Sequence, residues 1–217
     1  MLKRIKNISK FDHVSYWLDR HKKYKNDWRS VGQISLSDEE NRKGSVKLVE
    51  NLKNVILSLY PNPAGLSVLD FACGIGRLAP FFLEMKCDYL GLDISPDAVE
   101  QARKYCPNAK FKVGDITSSK PEESPFDIVI ASYVLVHMVD DNDWQAALDN
   151  LASVTMQNGL LLIIDNLPSR KNIMLASHAV RRSYSTYEKA LKKRKLVFTK
   201  ELDGKNPPDF YSIRLRK

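Results

Sequence analysis

The spacing of apolar residues near the start of the chain is typical of helices. Residues 46–59 carry apolar side chains at three- and four-residue intervals, which predicts a helix with one buried stripe that ends at the proline cluster of residues 61–63. Ser37 and Glu40 have the spacing of a capping box and predict a helix start just before this stripe. Residues 11–28 mix aromatic and basic side chains without a clear stop signal.

From residue 66 onward, short apolar runs end in small or acidic residues, and helical stretches lie between them. This alternation predicts a mostly parallel sheet with helices packed on both faces. The predicted strands are Ser67–Phe71, Tyr89–Leu92, Lys110–Val113, Asp127–Ala131 and Leu160–Asp165, and the predicted helices lie near Arg77–Met85, Pro96–Tyr105 and Asp143–Val154.

The end of the chain is basic and follows another pattern. It predicts a helix over Ser185–Lys195 and then an antiparallel hairpin formed by Leu196–Leu202 and Tyr211–Leu215. The predicted fold is therefore an α/β three-layer sandwich whose mostly parallel sheet is closed by an antiparallel C-terminal pair.

Composition excludes several classes of protein. The 217 residues suffice for one domain, and 43% hydrophobic with 28% charged residues argues against a disordered or fibrous chain. No apolar run approaches the ~20 residues of a membrane span, and no apolar signal core follows the first methionine, so we expect neither a span nor export. Three cysteines without a C-x-x-C pair argue against a disulfide framework and a zinc site, and favour a reducing cytoplasm.

The net charge of +8 is unevenly distributed along the chain. Residues 1–60 and 168–217 carry +6 and +10, whereas residues 61–167 carry −8. Basic ends around an acidic middle suit an anionic partner, although solvated lysine faces would give the same pattern.

The strongest chemical signal is VLDFACGIGRL, residues 68–78, in which an apolar strand runs into a glycine loop before a helix. Gly74 and Gly76 let the backbone approach a ligand closely, and the following helix start offers free N–H groups to an anion. With Ala79 the glycines also match a nicotinamide-dinucleotide fingerprint, but in that fold the first glycine comes directly off the strand.

The D-x-A-C-G-x-G-R sequence resembles motif I of the seven-stranded, Rossmann-like class I methyltransferase family, whose cofactor is S-adenosylmethionine. The resemblance implies that Asp70 and the loop backbone, including Ala72 and Arg77, face the amino-acid part of the cofactor. It places Gly74 and Gly76 against the nucleoside.

Later segments agree with this family in order and spacing. The resemblance implies that Asp93 and Ile94, at the end of the second strand, lie at the ribose of the cofactor. It places Asp115 and Ile116, after the third strand, at the adenine. Ser132 and Tyr133 would end the fourth strand beside the ligand. Taken singly, Asp93 could also be an acid at a helix start, Asp115 a turn residue, and Ser132 with Tyr133 ordinary packing at a strand end. Together they stand at the strand ends where such folds bind ligands.

Candidates for catalysis and acceptor binding lie outside these motifs. His137 is the candidate general base, with a packed or capping histidine as the alternative. Arginines and aromatic residues flank the core and could clamp an anion or a stacked base, or simply pack. They are Tyr16, Trp17 and Arg20 near the start, and His178, Arg181, Arg182, Tyr184 and Tyr187 after the fifth strand.

The sequence therefore predicts one methyltransferase domain over residues 1–217. Its parts are a lid segment (1–44), a cofactor-binding core (45–167), a substrate cap (168–195) and the hairpin (196–217). Since no Asn/Asp-Pro-Pro-Tyr follows the fourth strand, we expect a small-molecule, sugar or lipid-linked acceptor, and an anionic one suits the basic ends. RNA or protein methylation, a silent cofactor-binding module and a nicotinamide-dependent dehydrogenase stay open, as does dependence on a metal.

Overall fold

A mixed sheet forms the centre of the structure, a computed structural model that describes residues 11–165, 171–194, 197–198 and 210–214. The described strands are β1 (Ser67–Phe71), β2 (Asp88–Asp93), β3 (Lys110–Val113), β4 (Phe126–Ser132), β5 (Thr155–Ile164), β6 (Ile173–Ala176), β7 (Ala179–Arg181), β8 (Val197–Phe198) and β9 (Phe210–Arg214). The described helices are α1 (His13–Lys23), α2 (Asp38–Leu59), α3 (Ala79–Glu84), α4 (Pro96–Tyr105), α5 (Asp141–Val154) and α6 (Tyr184–Lys193).

Seven of these strands pair in the order β3-β2-β1-β4-β5-β9-β8. The first five are parallel, and β9 runs antiparallel to both β5 and β8. This confirms the predicted α/β sandwich closed by an antiparallel pair, although residues 196, 199–202 and 215 of the predicted hairpin lie outside the described residues. The strand order reverses between β1 and β4, and folds of this type bind ligands beside such a reversal.

Helices cover both faces of the sheet, because successive strand residues point to opposite sides. Val68 packs in a core cluster with Leu52 of α2 and Phe82 of α3. Its neighbour Leu69 packs in the other cluster with Leu148 of α5. Apolar runs without polar alternation, such as the fully buried 160–164 segment of β5, follow from this two-sided burial.

The predicted capping box at the start of α2 is confirmed. Ser37 Oγ accepts a hydrogen bond from the Glu40 N–H at 3.2 Å, and the Glu40 carboxylate accepts one from the Ser37 N–H at 2.8 Å. The helix then continues without a break through the apolar stripe to Leu59.

Two described elements near the sheet were not predicted. Helix α1 begins at His13, where the Asp12 carboxylate accepts hydrogen bonds from the backbone N–H groups of Val14 and Ser15. Strands β6 and β7 form a separate hairpin whose turn carries His178. None of the helices in the described ranges has both the length and the apolar content needed to cross a bilayer.

Candidate active site

A cleft that is partly open to solvent, with about 700 Å³ of empty space when its open mouth is included, lies at the carboxyl ends of the parallel strands. Strand ends and the loops after them form its floor, and the N-terminal segment forms its roof. The lining residues are Ala72, Cys73, Gly74, Arg77, Asp93, Ile94, Gly114, Asp115, Ile116, Ser132, Tyr133, Val134 and Met138 on the floor, with His13, Trp17, His21 and Val31 on the roof. Most residues predicted for the cofactor are therefore brought together.

Asp93 is fixed at the end of β2 by two backbone donors. Its Oδ2 accepts a hydrogen bond from the Gly74 N–H at 2.8 Å, and its Oδ1 accepts one from the Ser95 N–H at 2.9 Å. The residue is only 5% exposed, yet it lines the cleft. Because each carboxylate oxygen has two lone pairs, one on each oxygen is left for a ligand hydroxyl.

Asp115 and Ile116 follow β3 at the next strand end. One Asp115 carboxylate oxygen, Oδ1, accepts hydrogen bonds from both the N–H and the hydroxyl of Thr117 at 2.8 Å. The Asn150 side-chain amide donates to the Ile116 carbonyl at 2.9 Å and so holds this turn against α5. An acidic oxygen next to a buried isoleucine suits the amino edge and the face of a heterocyclic base.

The two loop glycines have different roles. Gly74 (φ +57°) lines the cleft, and its N–H is the donor to Asp93. Gly76 (φ +76°) lies outside the lining, and a Cβ there would stand 2.8 Å from the Phe111 ring and 3.1 Å from Ala102 Cβ. The expected nucleoside contact of Gly76 therefore needs correction, since this glycine allows α4 and β3 to pack against the loop.

Asp70 is also placed differently from the expectation. It is 1% exposed, absent from the cleft lining, and accepts a hydrogen bond from the Tyr89 hydroxyl at 2.8 Å. Burial raises the pKa of this carboxyl to about 7, against the opposing effects of the Tyr89 hydrogen bond and the Arg77 charge. The Asp70 side chain is therefore bound to Tyr89 of β2 and does not line the cleft.

Arg77 is the cation of the cleft floor. Its guanidinium lies 3.4 Å from Ser45 Oγ and 3.5 Å from Ser132 Oγ, and no described carboxylate lies within 4.0 Å of it. Burial lowers its pKa, while Asp70 opposes that change. An arginine without an ion pair at the edge of a cleft suits the carboxylate of a ligand.

Three rings of α1 form the roof. His13, Trp17 and His21 are four residues apart and therefore lie on one face of the helix. Trp17 was a candidate from the sequence but the two histidines were not, because the H-x-x-x-W-x-x-x-H spacing indicates one face only if the segment is a helix.

Tyr16 and Arg20 lie on α1 but outside the cleft. Tyr16 stacks on His178 of the β6–β7 turn, with ring centroids 5.0 Å apart, and so joins the roof to the hairpin. Arg20 donates to the carbonyls of Arg29 and Gly32 and to the Tyr16 hydroxyl, and it lies over the Trp17 ring. Its expected substrate contact is wrong for this arrangement, because backbone acceptors occupy the guanidinium.

Residues after β5 likewise turn out to be mostly structural. Arg182, 2% exposed, pairs with Asp141 at 2.7 Å and lies over the Trp144 ring. Tyr187 is buried, and its hydroxyl donates to Asp165 at 3.2 Å. Arg181 is half-buried at the end of β7, outside the cleft lining, and Tyr184 begins α6, with its side chain outside the described residues.

His137 lies just behind the roof. Its Nδ1 is 2.9 Å from the His178 carbonyl, which fixes the proton on Nδ1 and leaves the Nε2 lone pair free to accept a proton. Burial lowers its pKa to about 4. Its ring meets Trp17 edge to face at 4.9 Å, and Trp17 lines the cleft whereas His137 does not.

The acids near residue 140 form a helix start. Asp140 Oδ1 accepts hydrogen bonds from the backbone N–H groups of Asn142 and Asp143, which caps α5. Within the described ranges, no three potential metal ligands cluster together.

Comparison with known proteins agrees with this architecture. Residues 68–159 match the family described as "Methyltransferase domain". Trans-aconitate 2-methyltransferase of Methylobacterium nodulans is 29% identical over 111 residues, covering 50% of this chain and 39% of that protein. Ribosomal protein L11 methyltransferase of Burkholderia vietnamiensis is 43% identical over 74 residues, covering 31% of this chain and 23% of that protein. The chain thus spans well under half the length of these curated relatives.

Solved structures show the same fold over more of the chain. Magnesium protoporphyrin IX methyltransferase from Synechocystis PCC 6803 with bound SAM has a TM-score of 0.70 at 19% identity, covering 97% of this chain and 100% of that chain. DesVI of Streptomyces venezuelae has a TM-score of 0.62 at 17% identity, covering 80% of this chain and 92% of that chain. The solved structures thus share the fold of this chain, and residues 68–159 match the methyltransferase domain family by sequence.

Proposed function

We propose that this chain transfers the methyl group of S-adenosylmethionine to a small anionic acceptor bound beneath the α1 roof. The observation that carries the proposal is Asp93, a carboxylate held by the Gly74 and Ser95 N–H groups at the strand end of the cleft. This geometry leaves acceptor lone pairs for the two ribose hydroxyls of a nucleoside.

The rest of the cleft fits the same cofactor. Asp115 and Ile116 would take the amino group and the face of the adenine. Ala72, Gly74 and Arg77 would surround the amino-acid part, with the guanidinium at its carboxylate. Ser132 and Tyr133, at the end of β4, would lie beside the methyl group.

S-adenosylmethionine supplies a methyl group already activated on a sulfonium. The protein must therefore hold the acceptor in line with it and keep water out. The roof of His13, Trp17 and His21 covers the cleft for this purpose. His137 is proposed as the general base, with its Nδ1 proton held by the His178 carbonyl and its Nε2 available to the acceptor side once Trp17 moves.

The α1 roof over part of the cleft favours a small acceptor. The name of the Methylobacterium relative gives trans-aconitate as its acceptor, whereas that of the Burkholderia relative gives ribosomal protein L11. The basic ends of the chain support an anionic acceptor, and they also support RNA or protein docking as the second candidate.

We further propose the division into a lid (1–44), a core (45–167), a cap (168–195) and a hairpin (196–217). The contact between Tyr16 and His178 supports a joint action of lid and cap. A cytoplasmic location belongs to the same proposal and is supported by three free, buried cysteines.

The test is transfer of radiolabelled methyl from S-adenosylmethionine to a cell lysate separated into small molecules, protein and RNA. We expect label in the small-molecule fraction, retained on an anion-exchange column. Label in RNA or protein alone would select the second candidate. Binding without transfer to any fraction would indicate a silent cofactor-binding module.

A further inference from the structure

The roof contains a buried polar atom that the fold itself leaves without a partner. His21 is 2% exposed and lines the cleft, and no described residue forms a hydrogen bond with its Nδ1. Since buried polar groups in folded proteins are nearly always paired, such an atom beside a ligand cleft points to a partner on the ligand.

His21 and Asp93 line the same cleft, His21 from the roof and Asp93 from the floor. The charges of Asp93, Arg20 and Asp97 all act on the His21 imidazole, so the ring lies near the end of β2 and the start of α4. Two contacts hold the end of the roof there: Lys25 pairs with Asp97 at 3.4 Å, and the Asn26 N–H donates to Gln101 Oε1 at 2.7 Å.

The chemistry of the two side chains is complementary. Burial lowers the pKa of His21, so the imidazole is neutral at neutral pH and has one N–H donor and one acceptor nitrogen. Asp93 only accepts, so it takes the hydrogens of the ribose hydroxyls and leaves their oxygens as acceptors. A donor on the opposite side of the ribose would complete the hydrogen bonding of the sugar.

We propose that His21 is a positioning residue for the cofactor ribose, and that its Nδ1–H donates to a ribose hydroxyl whose hydrogen goes to Asp93. This inference rests on the proposed function. It makes α1 a clamp whose closure depends on the sugar, because the roof histidine and the floor carboxylate bind the same hydroxyl from two sides.

The test combines a protein change with a ligand change. Calorimetry would measure binding of S-adenosylhomocysteine and of its 2′-deoxy and 3′-deoxy analogues to the wild-type chain and to His21→Phe, which keeps a packed ring under Trp17. We expect His21→Phe to weaken binding of the full ligand about 10-fold. The deoxy analogue that lacks the hydroxyl bound by His21 should bind the wild type at least about 10-fold more weakly than S-adenosylhomocysteine does. The same analogue should bind His21→Phe less than about 3-fold more weakly.

Tyr105→Phe is the matched control, because it also removes a polar group while keeping the ring, and Tyr105 is an exposed residue of α4 that does not line the cleft. It should bind all three ligands as the wild type does. His21→Gln, which restores a donor, should recover part of the lost affinity. If His21→Phe does not fold, the ¹⁵N shift of His21 Nδ1 in the wild type gives the answer, and it should report a protonated nitrogen whose shift moves on ligand addition.

Equal hydroxyl penalties in the wild type and in His21→Phe would overturn the proposal, as would an Nδ1 shift unaffected by the ligand. Both results would leave the proposed function standing. Failure of the wild-type chain to bind S-adenosylhomocysteine at all would instead reject the proposed function.

Discussion

The backbone N–H of Gly74 donates to Asp93 Oδ2 at 2.8 Å and thereby ties the loop after β1 to the end of β2. This bond sets the position of the loop and the orientation of the carboxylate together. A change in either residue should therefore affect both loop order and nucleoside binding.

Replacing Asp93 by alanine should weaken S-adenosylhomocysteine binding about 100-fold or more, because two ribose hydroxyls lose a charged acceptor. Calorimetry on the folded variant measures this loss. Asp88→Ala is the matched control, since Asp88 is the exposed residue at the opposite end of the same strand. Equal affinities for the Asp93 and Asp88 variants would mean that the nucleoside lies elsewhere.

Gly76→Ala should lower the free energy of unfolding by at least about 2 kcal/mol, because it combines a left-handed backbone with a clash against Phe111. Gly44→Ala is the opposite case, since a Cβ at this position in α2 meets nothing within 4 Å. It should stabilise the protein by about 0.5–1 kcal/mol. Urea unfolding of both variants measures the difference, and equal effects would contradict this account of the loop.

Asp70 should make the protein less stable as pH rises. Its pKa is raised from 3.8 to about 7 in the folded chain, so unfolding releases a proton between those values. Below pH 3.8 Asp70 is protonated in both the folded and the unfolded chain and does not destabilise the fold. As pH rises from 3.8 toward 7, the free energy of unfolding should fall by up to about 4 kcal/mol. Asp70→Asn, which keeps an acceptor for the Tyr89 hydroxyl, should remove this slope. Unfolding measured at several pH values would refute the assignment if both proteins gave the same slope.

The sequence predicted those features of the fold whose determining residues lie close together in the chain. Ser37 with Glu40 predicted its helix start because a capping box is complete within four residues. Asp93 was expected at the cleft because the strand ends of a parallel sheet meet at one edge, and it does line the cleft. The contacts of Arg20 and Arg182 could not be predicted, because their partners are set by tertiary packing. The partners are backbone carbonyls for Arg20, and Asp141 with Trp144 for Arg182.

The roof was only partly predictable for a related reason. Its helix begins with Asp12, a capping residue that the aromatic and basic pattern concealed. The spacing of His13, Trp17 and His21 becomes meaningful only once this segment is known to be a helix over the strand ends. The β6–β7 hairpin gave no comparable signal, since its alternation spans only a few residues.

His137 should titrate near pH 4, below the ordinary histidine value of about 6.5, because burial disfavours its charged form. Its contribution to stability should therefore be lost as pH falls between those two values, since the unfolded chain takes up the proton first. NMR titration of the imidazole measures the midpoint, and a value near 6.5 would contradict the burial of this ring.

His137 should also affect catalysis more than cofactor binding. We expect His137→Gln to lower the transfer rate about 100-fold, near the lower end for general bases because the imidazole is weakly basic. Affinity for S-adenosylhomocysteine should stay unchanged, which separates a catalytic effect from damage to the cleft. A rate within about twofold of the wild type would remove His137 as the base.

Calorimetric titration of the purified wild-type chain with S-adenosylhomocysteine and, separately, with NAD tests the central claim most directly. The geometry of Asp93, Asp115 and the glycine loop predicts saturable binding of S-adenosylhomocysteine at one site per chain and no binding of NAD. Binding of NAD without binding of S-adenosylhomocysteine would contradict the assignment of the cleft to a methyl donor.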